Sequence, residues 1–178
     1  MSWLSAIFIA PVEEQPTFLQ LLNWNESSEC CSWEGVACEE GRVTHLDLSD
    51  EGIYGRLDNS STLFNLQHLK SLDLSYNYFY STIPSRIGNL TNLSLLNLSF
   101  AGFRGEVPVS ISRLRSLVTL DLSFSATWVA ETNLVIPNLK MLVQNLSKLQ
   151  ELRLDGSKSQ QGAGGVTHYH PHCLTFVS

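Results

Sequence analysis

The sequence predicts a short right-handed α/β solenoid, a stack of coils whose strands line up as one parallel sheet on a concave side. Three observations carry this. Leucine makes up about one residue in six of the 178, well above an ordinary globular share. The chain aligns on itself with a period of 24 residues, and Leu66, Leu90 and Leu114 each open the pattern L-x-x-L-x-x-L-x-L. Proline recurs in step with that period, at Ile83-Pro84 and Val107-Pro108.

The elements follow in order. Trp3 to Val12 is apolar but short, with no Lys or Arg before it, so residues 1–12 read as a signal-like remnant. The first unit of the repeat is Val43-x-x-Leu46-x-Leu48, which starts the series 26 residues ahead of Leu74. The next three run Leu66-Leu69-Leu72-Leu74, Leu90-Leu93-Leu96-Leu98 and Leu114-Leu117-Leu120-Leu122. The same phase returns at Leu146-Leu149-Leu152-Leu154, after a spacer eight residues longer. In each unit the last leucine pair, such as Leu72-x-Leu74, alternates with period two and faces one side of a short strand, with Asp73 on the other. The earlier pair, three residues apart, fits a turn or a one-turn helix feeding that strand. One unit cannot bury its leucines alone; stacking units at strand spacing joins them into a spine. The chain turns outward at Tyr76-Asn77, Phe100-Ala101-Gly102 and Phe124-Ser125. It returns through the prolines, which lack a ladder N–H and hold the preceding residue extended. About five units thus occupy residues 43–156. Beyond Gly156 the pattern stops, and residues 157–178 are expected to be irregular. Codons for Thr167–Ser178, read two bases later, can spell A-L-S-S-S-L-P-N-L-R-F, so an off-frame repeat is expected there; sequencing the transcript tests it.

Composition excludes several functions. Of the residues, 43% are hydrophobic and 16% charged, enough for a continuous core. The net charge of −6 gives no electrostatic footprint for nucleic acid. No run of about 20 apolar residues is present to span a bilayer. The sequence has no G-x-S-x-G and no H-E-x-x-H. His168-x-His170-x-His172-Cys173 has the ligand types for zinc, yet it lies in one segment with nothing around it to orient the rings. Gly162-x-Gly164-Gly165 is followed by no helix signal and no Lys-Ser/Thr, as a phosphate loop requires. The expectation is therefore no enzyme, no metal and no cofactor.

The segments L-D-L-S-Y-N-Y-F-Y-S-T-I-P-S-R-I-G-N-L from Leu72 and L-N-L-S-F-A-G-F-R-G-E-V-P from Leu96 resemble the plant extracellular type of leucine-rich repeat. The resemblance spans roughly residues 17 to 156 and implies a horseshoe segment. The family's turn asparagine is matched only at Asn77, with Glu51, Ala101 and Ser125 at its other sites. Its turn glycine is matched at Gly105 and replaced by Ser81 one coil earlier. Trp24 and C-C-S-W-E-G-V-A-C from Cys30 to Cys38 resemble the N-terminal cap of plant leucine-rich repeat receptors, placing the cap at residues 13–42. That resemblance implies a disulfide between Cys31 and Cys38, leaves Cys30 without a partner, and implies a shortened capping helix at about Pro16–Asn23.

Six N-x-S/T sequons accord with a secretory route: Asn25, Asn59, Asn89, Asn92, Asn97 and Asn145. Asn25, Asn59 and Asn89 are the expected glycosylation sites, as loop or turn positions. The resemblance to membrane-distal ends of plant receptor-like proteins implies an extracellular or cell-surface place. It implies a protein, peptide or pathogen-derived ligand, and a co-receptor kinase partner in intact relatives. The function it implies is pathogen perception in defence. The alternatives are a soluble decoy or inhibitor of microbial wall-degrading enzymes, and a non-functional truncated product. On the concave face, strand neighbours place Asp47, Asp73, Asn97 and Asp121 in one column with Arg153. Asp50, Tyr76, Phe100 and Phe124 form another, whose three aromatics are the expected exposed anchors for a ligand.

Overall fold

The computed structural model describes Trp24, residues 27–124 and 134–156, and the backbone of three short strands at 158–160, 166–168 and 174–175. Residues 1–12, the capping helix expected at Pro16–Asn23, and Asn25 lie outside the described residues.

In chain order the first strands are β1 (Val36–Glu39), β2 (Arg42–Asp47), β3 (Tyr54–Gly55), β4 (Ser71–Asp73), β5 (Tyr78–Phe79) and β6 (Leu95–Asn97). They are followed by β7 (Gly105–Glu106), β8 (Thr119–Asp121), β9 (Leu134–Ile136), helix α1 (Leu139–Val143) and β10 (Glu151–Arg153). The last are β11 (Lys158–Gln160), β12 (Val166–His168) and β13 (Leu174–Thr175).

The concave sheet runs β1-β2-β4-β6-β8-β10-β13. From β2 to β10 the pairing is parallel and in step, with Leu46, Leu72, Leu96, Leu120 and Leu152 opposite one another. This is the register the repeat requires, because a slip of one residue would turn the whole leucine set outward. Both edges are closed by antiparallel strands, β1 on β2 and β13 on β10. β1 reverses into β2 through Glu40 and Gly41, both at positive φ, as a two-residue hairpin turn of the primed type demands. Smaller sheets lie beyond the concave turns: β3 pairs with β5, and the order β12-β11-β9-β7 makes another.

The leucines predicted to form the spine do so. Leu48, Leu74, Leu98, Leu122 and Leu154 are buried behind the strands, and Leu69, Leu93 and Leu117 are fully enclosed behind them. Each such side chain contributes on the order of 1.5–3 kcal/mol when taken out of water. Phe79 and Phe103 extend the core as a stacked pair, with ring centroids 4.9 Å apart. On the convex side each coil returns through a 3₁₀ turn, at Thr62–Asn65, Ser85–Asn89 and Val109–Arg113. Pro84 and Pro108, both extended, start the second and third, and Leu66, Leu90 and Leu114 end them. Gly88 is required in its turn because a Cβ there would lie 2.4 Å from the Ser110 carbonyl oxygen of the next coil.

The long spacer holds a return that the sequence reading had not placed. Ile136-Pro137 repeats Ile83-Pro84 and Val107-Pro108, with Ile136 buried like its counterparts. Five of the eight extra residues precede that proline and three follow it, where α1 replaces the 3₁₀ turn. The Asn138 side chain caps α1 by accepting from the Met141 N–H.

The N-terminal cap covers the first coil. Trp24 is buried, donates its indole N–H to the Glu34 carbonyl at 3.0 Å, and stacks on Trp33. Cys31 and Cys38 are joined in a disulfide with Cα atoms 5.6 Å apart, the pairing implied by the resemblance, and Cys30 is a free thiol. Without such a cover the open end of the spine would meet water.

Candidate ligand-binding face

Strands β2, β4, β6 and β8 each end in an Asp or Asn followed two residues later by Ser, and the repeat of those types has a local cause. Asp47 accepts the Ser49 N–H and hydroxyl; Asp73 accepts the Ser75 N–H at 2.9 Å. Asn97 accepts the Ser99 N–H and hydroxyl, and Asp121 accepts the Ser123 N–H at 2.8 Å. These are Asx turns, in which a short side chain supplies the acceptor that bends the strand end. Between coils the column is knitted rather than repulsive. The Asn97 amide donates to the second Asp73 oxygen at 2.8 Å, so a neutral residue separates two carboxylates. At the far end Arg153 lies 3.6 Å from Asp121 and also pairs with Glu151.

This places the predicted polar column unevenly. Asp47 is exposed, Asp73 and Asn97 are half-buried, and Asp121 is buried beneath Arg153, so Asp121 is not the open group the column predicts. The serines Ser75, Ser99 and Ser123 are buried.

After Ser49, Ser75 and Ser99 the backbone passes through the left-handed region at a residue other than glycine: Asp50, Tyr76 and Phe100 have φ of 57, 56 and 53°. Such a residue costs roughly 1–2 kcal/mol, and the neighbouring coil holds it in place. The N–H groups of Asp50, Tyr76 and Phe100 donate to the carbonyls of Ser75, Ser99 and Ser123 at 2.9, 3.0 and 2.9 Å. Asn77, only 1% exposed, fixes the turn at Tyr76. Its carbonyl accepts the Ile53 N–H at 2.8 Å, and its amide donates to the carbonyls of Leu48, Leu74 and Ser75. Ser81, standing where the repeat has glycine, exchanges two hydrogen bonds with the Leu57 backbone of the preceding coil.

The left-handed turn throws Tyr76 and Phe100 to the surface, 55% and 38% exposed, with rings stacked 5.0 Å apart at 12°. Phe124 does not extend this stack. It is half-buried, its φ is not positive, and its ring makes no stacking contact with Phe100 among the described residues. The sequence reading also missed three tyrosines. Tyr54, Tyr78 and Tyr80 are exposed beside the concave edge, with Tyr54 against Tyr80 at 4.8 Å. The signal was present as period-two alternation, since Tyr76, Tyr78 and Tyr80 point outward while Asn77, Phe79 and Ser81 point inward.

Titration is perturbed at two carboxylates, both outside this aromatic edge. The Ser60 hydroxyl and N–H hold Asp58 below the usual carboxylate range, and the Lys70 ammonium does the same for Glu39. A polar cleft of about 500 Å³ lies beside the first hairpin, walled by Glu39, Arg42, His68 and Lys70. An apolar groove of about 630 Å³ lies between Val107, Pro108, Ile136 and Met141. No cluster of three metal-ligating side chains occurs among the described residues, and no helix among them is long and apolar enough to cross a membrane. The arrangement offers aromatic faces, carboxylates and hydroxyls on a rigid sheet, which is equipment for binding.

Comparison with known proteins agrees with this geometry. The leucine-rich repeat region matches residues 42–167, and the leucine rich repeat N-terminal domain matches residues 7–39. Receptor-like protein 50 of Arabidopsis thaliana is 48% identical over 67 residues, 36% of this chain and 8% of that protein. Receptor-like protein Cf-9 of Solanum pimpinellifolium is 44% identical over 71 residues, 39% of this chain and 8% of that protein. The matched stretch is thus under a tenth of the length of these relatives. Among solved structures, the BIR2 ectodomain from Arabidopsis thaliana superposes with a TM-score of 0.70 at 24% identity, over 83% of this chain and 76% of that one. A chain of the BIR3–SERK2 complex from the same plant gives 0.62 at 28% identity, over 80% and 74%.

Proposed function

Because this chain belongs to the leucine-rich repeat family, with plant receptor-like proteins as relatives, we propose that it is a ligand-binding segment acting in pathogen perception at the plant cell surface. A protein or peptide ligand lies along the concave face, with Tyr76 and Phe100 as its anchors. The Asp47 oxygen that Ser49 leaves open supplies a polar contact. The single observation that carries this reading is the exposed Tyr76–Phe100 stack, held in an unfavourable backbone conformation by the next coil. Bulky residues in the left-handed region are uncommon and gather at functional sites. Aromatic side chains on a rigid frame anchor interfaces at low entropic cost.

Two further features accord with the proposal. A co-receptor kinase is the second partner we assign, by analogy with the BIR3–SERK2 complex. Glycans sit on Asn25, Asn59 and Asn89. Asn59 and Asn89 are exposed next to the convex 3₁₀ turns, whereas the Asn97 amide is committed to Asp73 on the concave side. Sugars on Asn59 and Asn89 leave the sheet free.

Site-specific cross-linking tests the reading. A photo-reactive amino acid is placed at position 100 or, on the opposite side, at position 148 of the full chain, which is then exposed to apoplastic fluid from infected leaves. A defined peptide or protein captured at position 100 and not at 148 is the expected result. Equal capture at both positions would remove the concave face as the ligand site.

A further inference from the structure

The aromatic stack is open at one end, and what stands there is a carboxylate. Phe100 covers the face of Tyr76 that looks toward the later coils. The other face looks toward the first coil, where the equivalent residue is Asp50. The equivalence is structural: Asp50, Tyr76 and Phe100 share the same left-handed backbone and the same hydrogen bond to the serine carbonyl of the following coil. Asp50 is exposed, and among the described residues its carboxylate takes part in no hydrogen bond or ion pair. Asp47, exposed on the same coil, has one oxygen bound to Ser49 and the other without a hydrogen bond among the described residues. The concave carboxylates farther along are occupied, Asp73 by Asn97 and Asp121 by Arg153. Uncompensated negative charge on this face therefore gathers where the aromatic stack ends.

An aromatic face beside a free carboxylate, one coil away, is complementary to a planar cation. A guanidinium can lie flat on the ring, attracted by its quadrupole, while its N–H groups point at the acid. A lysine ammonium satisfies the charge but has no plane to stack. We propose that the open face of Tyr76, together with Asp50, is an arginine subsite, and that the ligand of the concave face carries an arginine there. The inference rests on the ligand-binding reading of that face and narrows it to a basic segment of a peptide or protein.

The test uses the full chain and two probes of equal charge, hexa-arginine amide and hexalysine amide, with affinity read by fluorescence anisotropy at low ionic strength. Hexa-arginine is expected to bind about fivefold more tightly than hexalysine. Tyr76→Ala abolishes that preference, Tyr76→Phe keeps it, and Asp50→Asn weakens both peptides by about threefold. An amide NMR titration of the unmodified chain gives an independent reading, with shifts at Asp50, Tyr76 and Phe100 and none at Lys148. Equal affinity for the two peptides, a preference that survives Tyr76→Ala, shifts confined to other regions, or no binding of either peptide each overturn the proposal. A chain that captures its ligand at position 100 but shows no arginine preference overturns this inference alone and leaves the concave face as the binding site.

Discussion

The Asn77 amide ties one Ile53 N–H and three carbonyls from two coils, all away from water. Replacing it with Ala takes this partner from the buried Ile53 N–H and the Leu48 and Leu74 carbonyls, while the Ser75 carbonyl keeps the Asp50 N–H. A buried group that loses its partner costs about 1–3 kcal/mol. Asn77→Ala is therefore expected to lower unfolding stability by at least about 2 kcal/mol, measurable by urea denaturation. Asn77→Asp should be at least as harmful, because a carboxylate would face three carbonyl oxygens. A gentler residue-scale prediction concerns acid. The folded-state pKa of Asp58 lies below its ordinary value, chiefly through the Ser60 hydroxyl and N–H. The contribution of this group is present above its ordinary range and is lost as pH falls through the depressed value. Ser60→Ala should raise the Asp58 midpoint toward the ordinary carboxylate value in a side-chain carboxyl NMR titration. It should also flatten the loss of stability as pH falls from the ordinary carboxylate range through the depressed value.

Phe79 and Phe103 act as one element of the stack, each filling the same place in successive coils and touching ring to ring. Phe103→Ala removes both the burial and the partner of Phe79, so a loss of about 3–5 kcal/mol is expected in equilibrium unfolding. The coil that carries α1 answers to different physics. Its five-residue helix begins at a capping side chain, so Asn138→Ala should cost about 1 kcal/mol and loosen residues 139–143 first, as read by hydrogen exchange. The two elements also differ in how plainly the sequence announced them. The leucine strands were legible because period-two alternation inside a 24-residue period admits few other structures. The extra return at Ile136-Pro137 was not, because the eight added residues are split on either side of it and hide its phase.

For the whole molecule, stability propagates from coil to coil, so the ends matter most. The first coil is covered by Trp24, the antiparallel β1 and the Cys31–Cys38 disulfide. Closing so short a loop is worth about 2–3 kcal/mol. Alkylation followed by mass spectrometry should label Cys30 in the native protein and Cys31 and Cys38 only after reduction. Reduction should lower the thermal midpoint by several degrees.

The sequence by itself determined the solenoid and its parallel register, because a leucine at every fixed interval has only one way to leave water together with its neighbours. The disulfide-bearing cap was legible only through the resemblance of Trp24 and Cys30–Cys38 to the caps of plant leucine-rich repeat receptors. It also named Tyr76 and Phe100 as surface aromatics. Only the tertiary structure decided which members of a column are free to meet a ligand. Asp47, Asp73 and Asp121 stand at equivalent positions, yet one is exposed, one is bonded to Asn97 and one is buried under Arg153. Phe124 likewise left the stack that its position suggested. Repetition fixes where each side chain starts; burial and partnership depend on residues one coil away, 24 positions distant for Asp73 and Asn97 and 32 for Asp121 and Arg153, whose identities the repeat leaves unspecified.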